Sequence, residues 1–381
     1  MSENIYLDNA ATTRMYKEVK EAMEPYLEDE YGNASTEYKL GEKAKKAIED
    51  AREKIAKAIS ANTSEIYFTS GGSESDNWAI KGVAGERKKE GKDIVTSMIE
   101  HHAVLNSCEY LEELGYKISY VRPDDKGWIN PLDVEKLMKK ETTLVSIMYG
   151  NNEIGTIEPV SEIGRIARKY GAVFHTDAVQ VVGQIPVDVR QLPVDMLSAS
   201  AHKFHGPKGI GFLYVRRNIS LPSFIHGGSQ ENGKRAGTEN VAGIVGMGKA
   251  IEIVTKEMEI NQRRQRMLRN TMVDMIMTQI PDVIYNGHPI KRLPGNVSVS
   301  FKGIDAGSLL IMLEENGICA SAGSACNTSD RSVSHVIKAI DVPEEYKNGT
   351  IRFSIGTENT KDEIIKTVKI LKENVALLRK G

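Results

Sequence analysis

Two groups of polar side chains come directly after short apolar segments of the chain. Asp177 and Gln180 follow one segment, and Ser200, His202 and Lys203 follow another. An acid can keep a pyridine nitrogen protonated, an amide or imidazole can contact a ring hydroxyl, and a lysine can form a Schiff base with an aldehyde. These residue types at these positions therefore predict a site for a pyridine cofactor.

A cysteine lies downstream in a run of small residues, Ser321-Ala-Gly-Ser-Ala-Cys326. Small residues cannot pack a core, so the segment is expected to be a flexible loop that carries its thiol to other groups. The alternative for a free thiol is an inert buried cysteine. That alternative fits Cys108, on a predicted helix, and Cys319, in an apolar run, better than it fits Cys326. A Schiff-base lysine and a mobile thiol together point to a pyridoxal 5'-phosphate (PLP) enzyme that handles sulfur.

A turn rich in glycine and serine, Thr69-Ser-Gly-Gly-Ser-Glu-Ser75, follows a predicted strand and opens a predicted helix. Backbone N–H groups at a helix start, glycines that allow close approach and serine hydroxyls together suit a phosphate group. The alternative is an ordinary turn between a strand and a helix. The turn lacks a Gly-x-Gly-x-x-Gly pattern, so a dinucleotide site is poorly supported.

The composition limits the classes of function. The 381 residues suffice for two domains and a large core. Charged residues make up 27% of the chain and the net charge is −2, which gives no electrostatic case for nucleic acid or an anionic membrane. The acidic N-terminus has no apolar signal core, and no apolar run approaches the roughly 20 residues that span a bilayer. The three cysteines form no Cys-x-x-Cys pair, so we expect a soluble protein of a reducing cytoplasm.

Short apolar runs alternate with helical patterns in the first two thirds of the chain. The predicted strands are 65–69, 94–97, 117–121, 143–149, 172–176, 194–199 and 209–215. An amphipathic stretch at 161–170 ends at Gly171, in the position that glycine favours after a helix. This alternation predicts an α/β fold with a mainly parallel sheet covered by helices. Because ligands on such sheets bind beyond the carboxyl ends of strands, Asp177 and Lys203 are expected at one site.

After residue 255 the pattern changes. A long charged helix is predicted at 256–280, a half-buried strand at 296–301, and a terminal helix that opens with a capping box of Thr360 and Glu363. We therefore expect two domains. They are a large cofactor-binding domain at 13–255 and a smaller α+β domain, made of 1–12 and 256–381, that carries the cysteine loop.

Further motifs accompany these residues in a fixed order along most of the chain. They are Tyr6-Leu-Asp-Asn-Ala-Ala-Thr-Thr13, Phe68-Thr-Ser-Gly-Gly-Ser-Glu-Ser-Asp-Asn77, Glu100-His101, Asn151-Asn-Glu-Ile-Gly155, Gly206-Pro-Lys-Gly-Ile-Gly211, His226-Gly-Gly228, Arg235-Ala-Gly-Thr238 and Ile351-Arg-Phe-Ser-Ile-Gly356. With these motifs the chain resembles the cysteine desulfurases of the NifS/IscS type, which are PLP-dependent enzymes of the class-V aminotransferase family.

The resemblance implies a homodimer with the fold-type I architecture of PLP-dependent transferases. The residues that match cofactor-binding positions are Gly72, Ser73, Asn152, Asp177, Gln180, Ser200, His202, Lys203 and, reaching over from the other subunit, Thr238. By this resemblance Asp177 pairs with the pyridine nitrogen and Lys203 forms the Schiff base. Spacing alone also allows Asp177 to be a helix cap and Lys203 a solvated charge. His101 matches an imidazole stacked on the cofactor ring, and its neighbour His102 is interpreted as structural.

The implied reaction converts L-cysteine to L-alanine and leaves the sulfur on Cys326 as a persulfide. Lys203 moves the Cα proton, Cys326 attacks the substrate sulfur, and Arg352 pairs with the substrate carboxylate, with Asn152 between that carboxylate and the cofactor. The expected partner is a sulfur-acceptor protein, either an iron–sulfur scaffold or a tRNA-thiolation enzyme. No intrinsic metal is expected, although Cys326 could be a transient iron–sulfur ligand. The alternatives are a selenocysteine lyase or aminotransferase of the same fold, in which Cys326 is dispensable, and a catalytically silent partner protein.

The chain departs mildly from the pattern of the family at Gly72-Ser73, where Ala-Thr is the commonest pair. Two further departures matter more. Ala34, in Tyr31-Gly-Asn-Ala-Ser35, replaces a usual proline, which predicts an altered turn on the substrate side. The sequence also ends soon after its last predicted helix, whereas relatives that dock an iron–sulfur scaffold often carry a longer tail. The identity of the sulfur acceptor therefore stays open.

Overall fold

The structure is a computed structural model that describes residues 4–322 and 333–380. The strands of this part of the chain are β1 (Ile5–Tyr6), β2 (Ile66–Thr69), β3 (Asp93–Ser97), β4 (Lys117–Val121), β5 (Thr142–Ser146), β6 (Val173–Asp177), β7 (Met196–Ser200), β8 (Gly211–Val215), β9 (Val283–Tyr285), β10 (Asn296–Phe301), β11 (Ile318–Cys319) and β12 (Thr350–Ser354). The helices are α1 (Lys17–Met23), α2 (Lys39–Ala58), α3 (Gly72–Glu86), α4 (His102–Glu113), α5 (Pro131–Leu137), α6 (Val160–Lys169), α7 (Val241–Gln279), α8 (Ala306–Glu315), α9 (His335–Ala339), α10 (Glu344–Lys347) and α11 (Lys361–Leu378).

The main sheet has seven strands in the order β2-β8-β7-β6-β5-β3-β4. The neighbouring pairs from β7 to β4 are all parallel, and β8 runs antiparallel to both of its neighbours. Every residue of β3, β5, β6, β7 and β8 is buried, as expected for strands covered by helices on both faces. The predicted mainly parallel α/β sheet is confirmed.

A second, smaller sheet joins β12, β10 and β9 in antiparallel pairs, and β1 pairs with β11 nearby. Its apolar core contains Ile5 and Leu7 from the start of the chain together with side chains of α7, α8 and α11. The long helix α7 serves both cores, because Val254 packs in the core of the main sheet and Leu268 in that of the small sheet.

The boundaries of several elements differ from the prediction, and the start of α7 differs most. The predicted helix begins at 256, whereas α7 begins at Val241 and has 39 residues. Its first turns are rich in glycine, which lowers helix propensity. A Cβ on Gly248 would lie 2.7 Å from the Cβ of Ala51 on α2. Close packing against α2 therefore stabilises a helix that local propensity does not predict.

Local capping and the positions of the cysteines agree better with expectation. Thr360 and Glu363 form the predicted capping box at the start of α11. Cys108 is buried on α4, whereas Cys319 on β11 is only partly buried, so the prediction of burial is right for the first and too strong for the second. Cys326 lies outside the described residues. Within 4–322 and 333–380, each helix is too short or too polar to cross a lipid bilayer.

Candidate active site

A cavity of about 320 Å³ lies beyond the carboxyl ends of β6 and β7. Its wall also includes Ala10 and Ala11, from the segment before α1, and a residue of β12. The sequence-predicted residues in this wall are Gly72, Ser73, His101, Asn152, Asp177, Gln180, Ser200, His202, Lys203 and Arg352. The volume suits a small molecule such as a cofactor with its substrate.

Lys203 ends a 3₁₀ turn, Ala201–Lys203, that directly follows β7. Its Nζ donates hydrogen bonds to the backbone oxygens of Ala10 at 2.6 Å and Ala11 at 2.9 Å. The segment before α1 thus positions the amino group at the cavity wall. This lysine is therefore not the solvated surface charge that spacing alone allowed.

Asp177 is the last residue of β6, and its carboxyl group is buried. Oδ1 accepts a hydrogen bond from the backbone N–H of Val179 at 2.9 Å, so this oxygen caps the turn that follows β6, although no regular helix starts there. Burial raises the pKa of the Asp177 carboxyl, while His101 and Lys203 act in the opposite direction. A buried carboxylate in a cavity is stabilised by a cation beside it, and a protonated pyridine nitrogen would be such a cation.

His101 lies at the N-cap of α4, where its Nδ1 accepts a hydrogen bond from the backbone N–H of Ala103 at 3.1 Å. This bond leaves the proton of a neutral ring on Nε2. Burial lowers the pKa of His101, so the imidazole is neutral near pH 7. The result is a fixed, uncharged aromatic face in the cavity wall, which suits stacking on another ring.

The predicted phosphate turn joins β2 to the start of α3. Gly71 has φ 154°, a conformation that favours glycine. A Cβ on Gly72 would lie 2.6 Å from Cγ2 of Val179, so a larger residue here would require Val179 to shift. Ser73, Ser200 and the α3 N-terminus border the same groove, and such a set of donors suits an anion.

Arg352 and Asn152 come together from distant parts of the chain. Arg352, on β12, donates from Nη1 to the backbone oxygen of Asn152 at 3.0 Å and from Nη2 to Oδ1 of Asp8 at 2.7 Å. The ion pair with Asp8 orients a guanidinium group whose side chain is 3% exposed. A cation oriented in this way at the cavity wall can bind a carboxylate.

Thr238 does not line this cavity. It is exposed and borders a separate cavity of about 180 Å³ together with Ser70 and Arg235. A single chain therefore leaves Thr238 outside the cavity that contains the other described site residues.

Four further side chains of the cavity wall, three of them buried, were not predicted as site residues. Asp76 and Glu100 are fully buried, and burial raises the pKa of both, that of Glu100 to about 8. Glu153 accepts a hydrogen bond from Oγ of Ser334 at 2.5 Å, and His335 donates from Nε2 to the backbone oxygen of Glu100 at 2.9 Å. Asp76, Glu100 and Glu153 lie in the sequence motifs given above, and those motifs could have identified them. None of the motifs contains His335.

His102, which the sequence analysis interpreted as structural, also lines the cavity. Its ring meets that of His335 edge to face, with centroids 4.7 Å apart. His102 therefore borders the cavity as His101 does, and its interpretation as structural stays a prediction.

The similarity of this chain to known proteins extends along almost its whole length. The family model of class-V aminotransferases matches residues 5–366. The cysteine desulfurase IscS of Dictyoglomus turgidum is 51% identical over 379 residues, which cover 100% of this chain and 96% of that protein. A solved structure of a NifS-like protein superposes with a TM-score of 0.92 at 39% identity, covering 98% of this chain and 100% of the other. A structure of SspA in complex with cysteine superposes with a TM-score of 0.83 at 38% identity. The match covers 93% of this chain and 100% of the SspA chain. The chain belongs to the class-V aminotransferase family and, within it, to the cysteine desulfurases of the NifS/IscS type.

Proposed function

We propose that this enzyme is an L-cysteine desulfurase that releases L-alanine and keeps the sulfur as a persulfide on Cys326. The observation that carries the proposal is the convergence of Asp177, Lys203 and Arg352 on one cavity. These three residues offer an acid for a pyridine nitrogen, an amine for a carbonyl carbon and a cation for an amino-acid carboxylate. The cysteine bound in the SspA structure supports the same substrate class.

The residues of the cavity fit PLP. Asp177 would hold the ring nitrogen, Lys203 the aldehyde carbon and Gln180 the ring hydroxyl, while His101 would cover a ring face. The phosphate would lie in the groove of Gly72, Ser73, Ser200 and His202, where the side chain of any residue but glycine at position 72 would meet Val179. When bound, PLP withdraws electrons from the substrate's Cα and so makes its proton easier to remove.

The side chains of the protein then bind the substrate and move its proton. Arg352, oriented by Asp8, holds the α-carboxylate and thereby directs Cα towards the amine of Lys203. The amine accepts the Cα proton and later donates one to the carbon skeleton. Burial lowers the pKa of His202 to about 4, so the imidazole beside Lys203 stays neutral and does not compete with the lysine as a cation.

Sulfur removal is assigned to Cys326. Its thiolate attacks the substrate's Sγ, forming an S–S bond while the C–S bond breaks and its electron pair moves to Cβ. A thiolate is the effective nucleophile for this step. The buried thiol of Cys108, whose pKa burial raises to about 12, is a poor substitute. The pKa of Cys319 is raised as well, mainly by burial.

The assembly and the surroundings of the enzyme belong to the same proposal. The chain is a homodimer in which Thr238 completes the phosphate groove of the other subunit, since Thr238 is exposed and outside its own cavity. The proposed division into 13–255 and 1–12 with 256–381 follows the two apolar cores that meet along α7, except that Val336, Ile337 and Ile340 of the second part pack in the first core. In the cytoplasm, the persulfide passes to an acceptor protein of iron–sulfur assembly or of tRNA thiolation.

Mass spectrometry after turnover with L-cysteine tests the proposal. We expect an added sulfur on the Cys326 peptide, alanine as the product, and almost no sulfide from Cys326→Ser, which still binds PLP and cysteine. A serine hydroxyl is a poor nucleophile at neutral pH. Cys108→Ser and Cys319→Ser are matched controls that should stay near wild type. Full activity of Cys326→Ser would instead favour a selenocysteine lyase or an aminotransferase.

A further inference from the structure

A second, smaller cavity lies behind Lys203. Its volume is about 40 Å³, and a water molecule needs roughly 10–15 Å³. Ala10, Gln180 and Lys203 line both this rear cavity and the larger one. The rear cavity is therefore separated from the main one by the lysine itself, together with the hydrogen bonds that Lys203 and Gln180 donate to the backbone oxygen of Ala10 at 2.6 and 3.0 Å.

The polar side chain that can bind a ligand in the rear cavity is that of Gln265, on α7. It is 4% exposed and lines the cavity. Among the residues that the structure describes, its amide forms no hydrogen bond. The amide is not among the polar groups that lack both accessible surface and a hydrogen-bond partner, so its polar atoms keep surface that faces the cavity. Water is the usual partner of such a group in a polar cavity of this size.

A narrow cavity of about 10 Å³ continues from the rear cavity towards the surface. Gln184, His205 and Gln265 line both of them. The outer cavity ends at Asn261 and Gln262, on a partly exposed face of α7. A row of polar side chains thus runs from Lys203 to the partly exposed Asn261 and Gln262, and its intermediate members do not line the main cavity.

His205 is held in a strained position beside this row. Its φ is 66°, a costly conformation for a residue with a side chain. The ring stacks on Tyr16 at 4.0 Å, and Nδ1 donates to the backbone oxygen of Arg14 at 2.8 Å. Burial lowers the pKa of His205, so the neutral ring keeps Nε2 as an acceptor for water.

We propose that the rear cavity binds ordered water and connects Lys203 to solvent by a route separate from the cavity that takes the substrate. The part that Lys203 plays in this inference rests on the proposed function. Its ammonium form gives a proton to a water molecule and becomes the amine, and the reverse transfer returns a solvent proton, so that no other reactant is needed. With cofactor and substrate in the main cavity, the rear route lets Lys203 exchange protons during turnover. Gln265 is a positioning residue that holds the water.

The first test is the crystal structure of the purified protein at a resolution that shows ordered water. We expect water within hydrogen-bonding distance of the Gln265 amide, and its loss in Gln265→Met, whose side chain has similar length but binds water poorly. Gln265→Glu should keep the water, and Gln279→Met, at the exposed end of the same helix, is the matched control. Density that shows the wild-type cavity to be dry overturns the inference whatever the enzyme's activity.

The second test is turnover of ordinary L-cysteine in D₂O, with the isotope content of the alanine measured per molecule of product. Wild type and Gln279→Met should give alanine with little of the substrate's Cα hydrogen. Gln265→Met should retain several-fold more of it, and Gln265→Glu should restore exchange. Equal retention in all four proteins refutes the rear route, whereas failure of wild type to form any alanine refutes the proposed function instead.

Discussion

The role of Lys203 can be tested apart from turnover. Its amine has a fixed position at the cavity wall through two backbone oxygens, and this favours attack on an aldehyde brought there. Lys203→Ala should therefore lose the covalent attachment of PLP and its yellow colour, whereas Lys140→Ala, at an exposed position, should keep both.

The measurement is borohydride reduction followed by peptide mapping. The reduced link should appear on the peptide that contains Lys203. A reduced link on any other lysine in the wild-type protein would show that the assignment is wrong.

His175 predicts a pH dependence of stability. Its ring is fully buried between the hydroxyls of Ser146 and Ser198, at 2.9 and 3.0 Å, and burial lowers its pKa from 6.5 to about 3. Below pH 6.5 the His175 ring is protonated in the unfolded chain but stays neutral in the folded chain. The residue therefore lowers the free energy of unfolding increasingly as the pH falls. The loss should approach about 1.4 kcal/mol per pH unit.

The comparison with His175→Asn isolates this contribution. Glu100, whose pKa is raised to about 8, has the opposite effect, because its stabilising contribution is lost as the pH rises from 4.5 to 8. Both proteins contain Glu100, so its effect largely cancels in the difference. Urea unfolding at fixed protein concentration should show the advantage of wild type over the variant shrinking below pH 6.5, and a constant difference would contradict the prediction.

At the scale of the element, the capping box of α11 makes a local contribution to stability. Thr360 accepts a hydrogen bond from the backbone N–H of Glu363 at 3.3 Å, and Glu363 accepts one from the N–H of Thr360 at 2.8 Å. The helix that they begin buries Ile364 and Val368 in the small core. Thr360→Ala should lower the free energy of unfolding by about 1 kcal/mol, and Thr360→Ser should not.

Urea unfolding of the PLP-bound protein measures this effect, and the cysteine turnover of both variants is the control. The cap lies at the end of a helix rather than in the cavity, so activity should be unchanged under conditions where the protein is folded. A loss in Thr360→Ser equal to that in Thr360→Ala would mean that the hydroxyl is not responsible.

At the scale of the whole molecule, the position of Thr238 predicts shared active sites. If Thr238 serves the other subunit, a dimer of one Lys203→Ala chain and one Thr238→Ala chain has one site with both defects and one with neither. Random mixing makes half of the dimers hybrid, so the mixture should recover about a quarter of wild-type activity.

The measurement is cysteine turnover after the two variants are unfolded and refolded together, with each variant refolded alone as the control. Separate refolding should leave the activity of each variant at its own low level. A mixture no more active than the average of the two variants would contradict sharing of sites between subunits.

The sequence alone determined which residues stand at the ends of strands. Alternation of apolar runs and helical patterns is a local property, and a parallel sheet brings the carboxyl ends of its strands to one edge. The placement of Asp177 and Lys203 at one cavity therefore followed without any tertiary information. The capping box of Thr360 and Glu363 was predictable for the same reason, since both partners lie within one turn.

Only the tertiary structure decided what depends on contacts between distant segments. The pairing of Arg352 with Asp8, the early start of α7 against α2 and the burial of Gln265 behind Lys203 all join residues far apart in sequence. Periodicity reports which face of an element is apolar, but it does not report which polar side chain will lose its access to water. Burial sets the hydrogen bonds and the pKa of such groups, and burial is a property of the packed molecule.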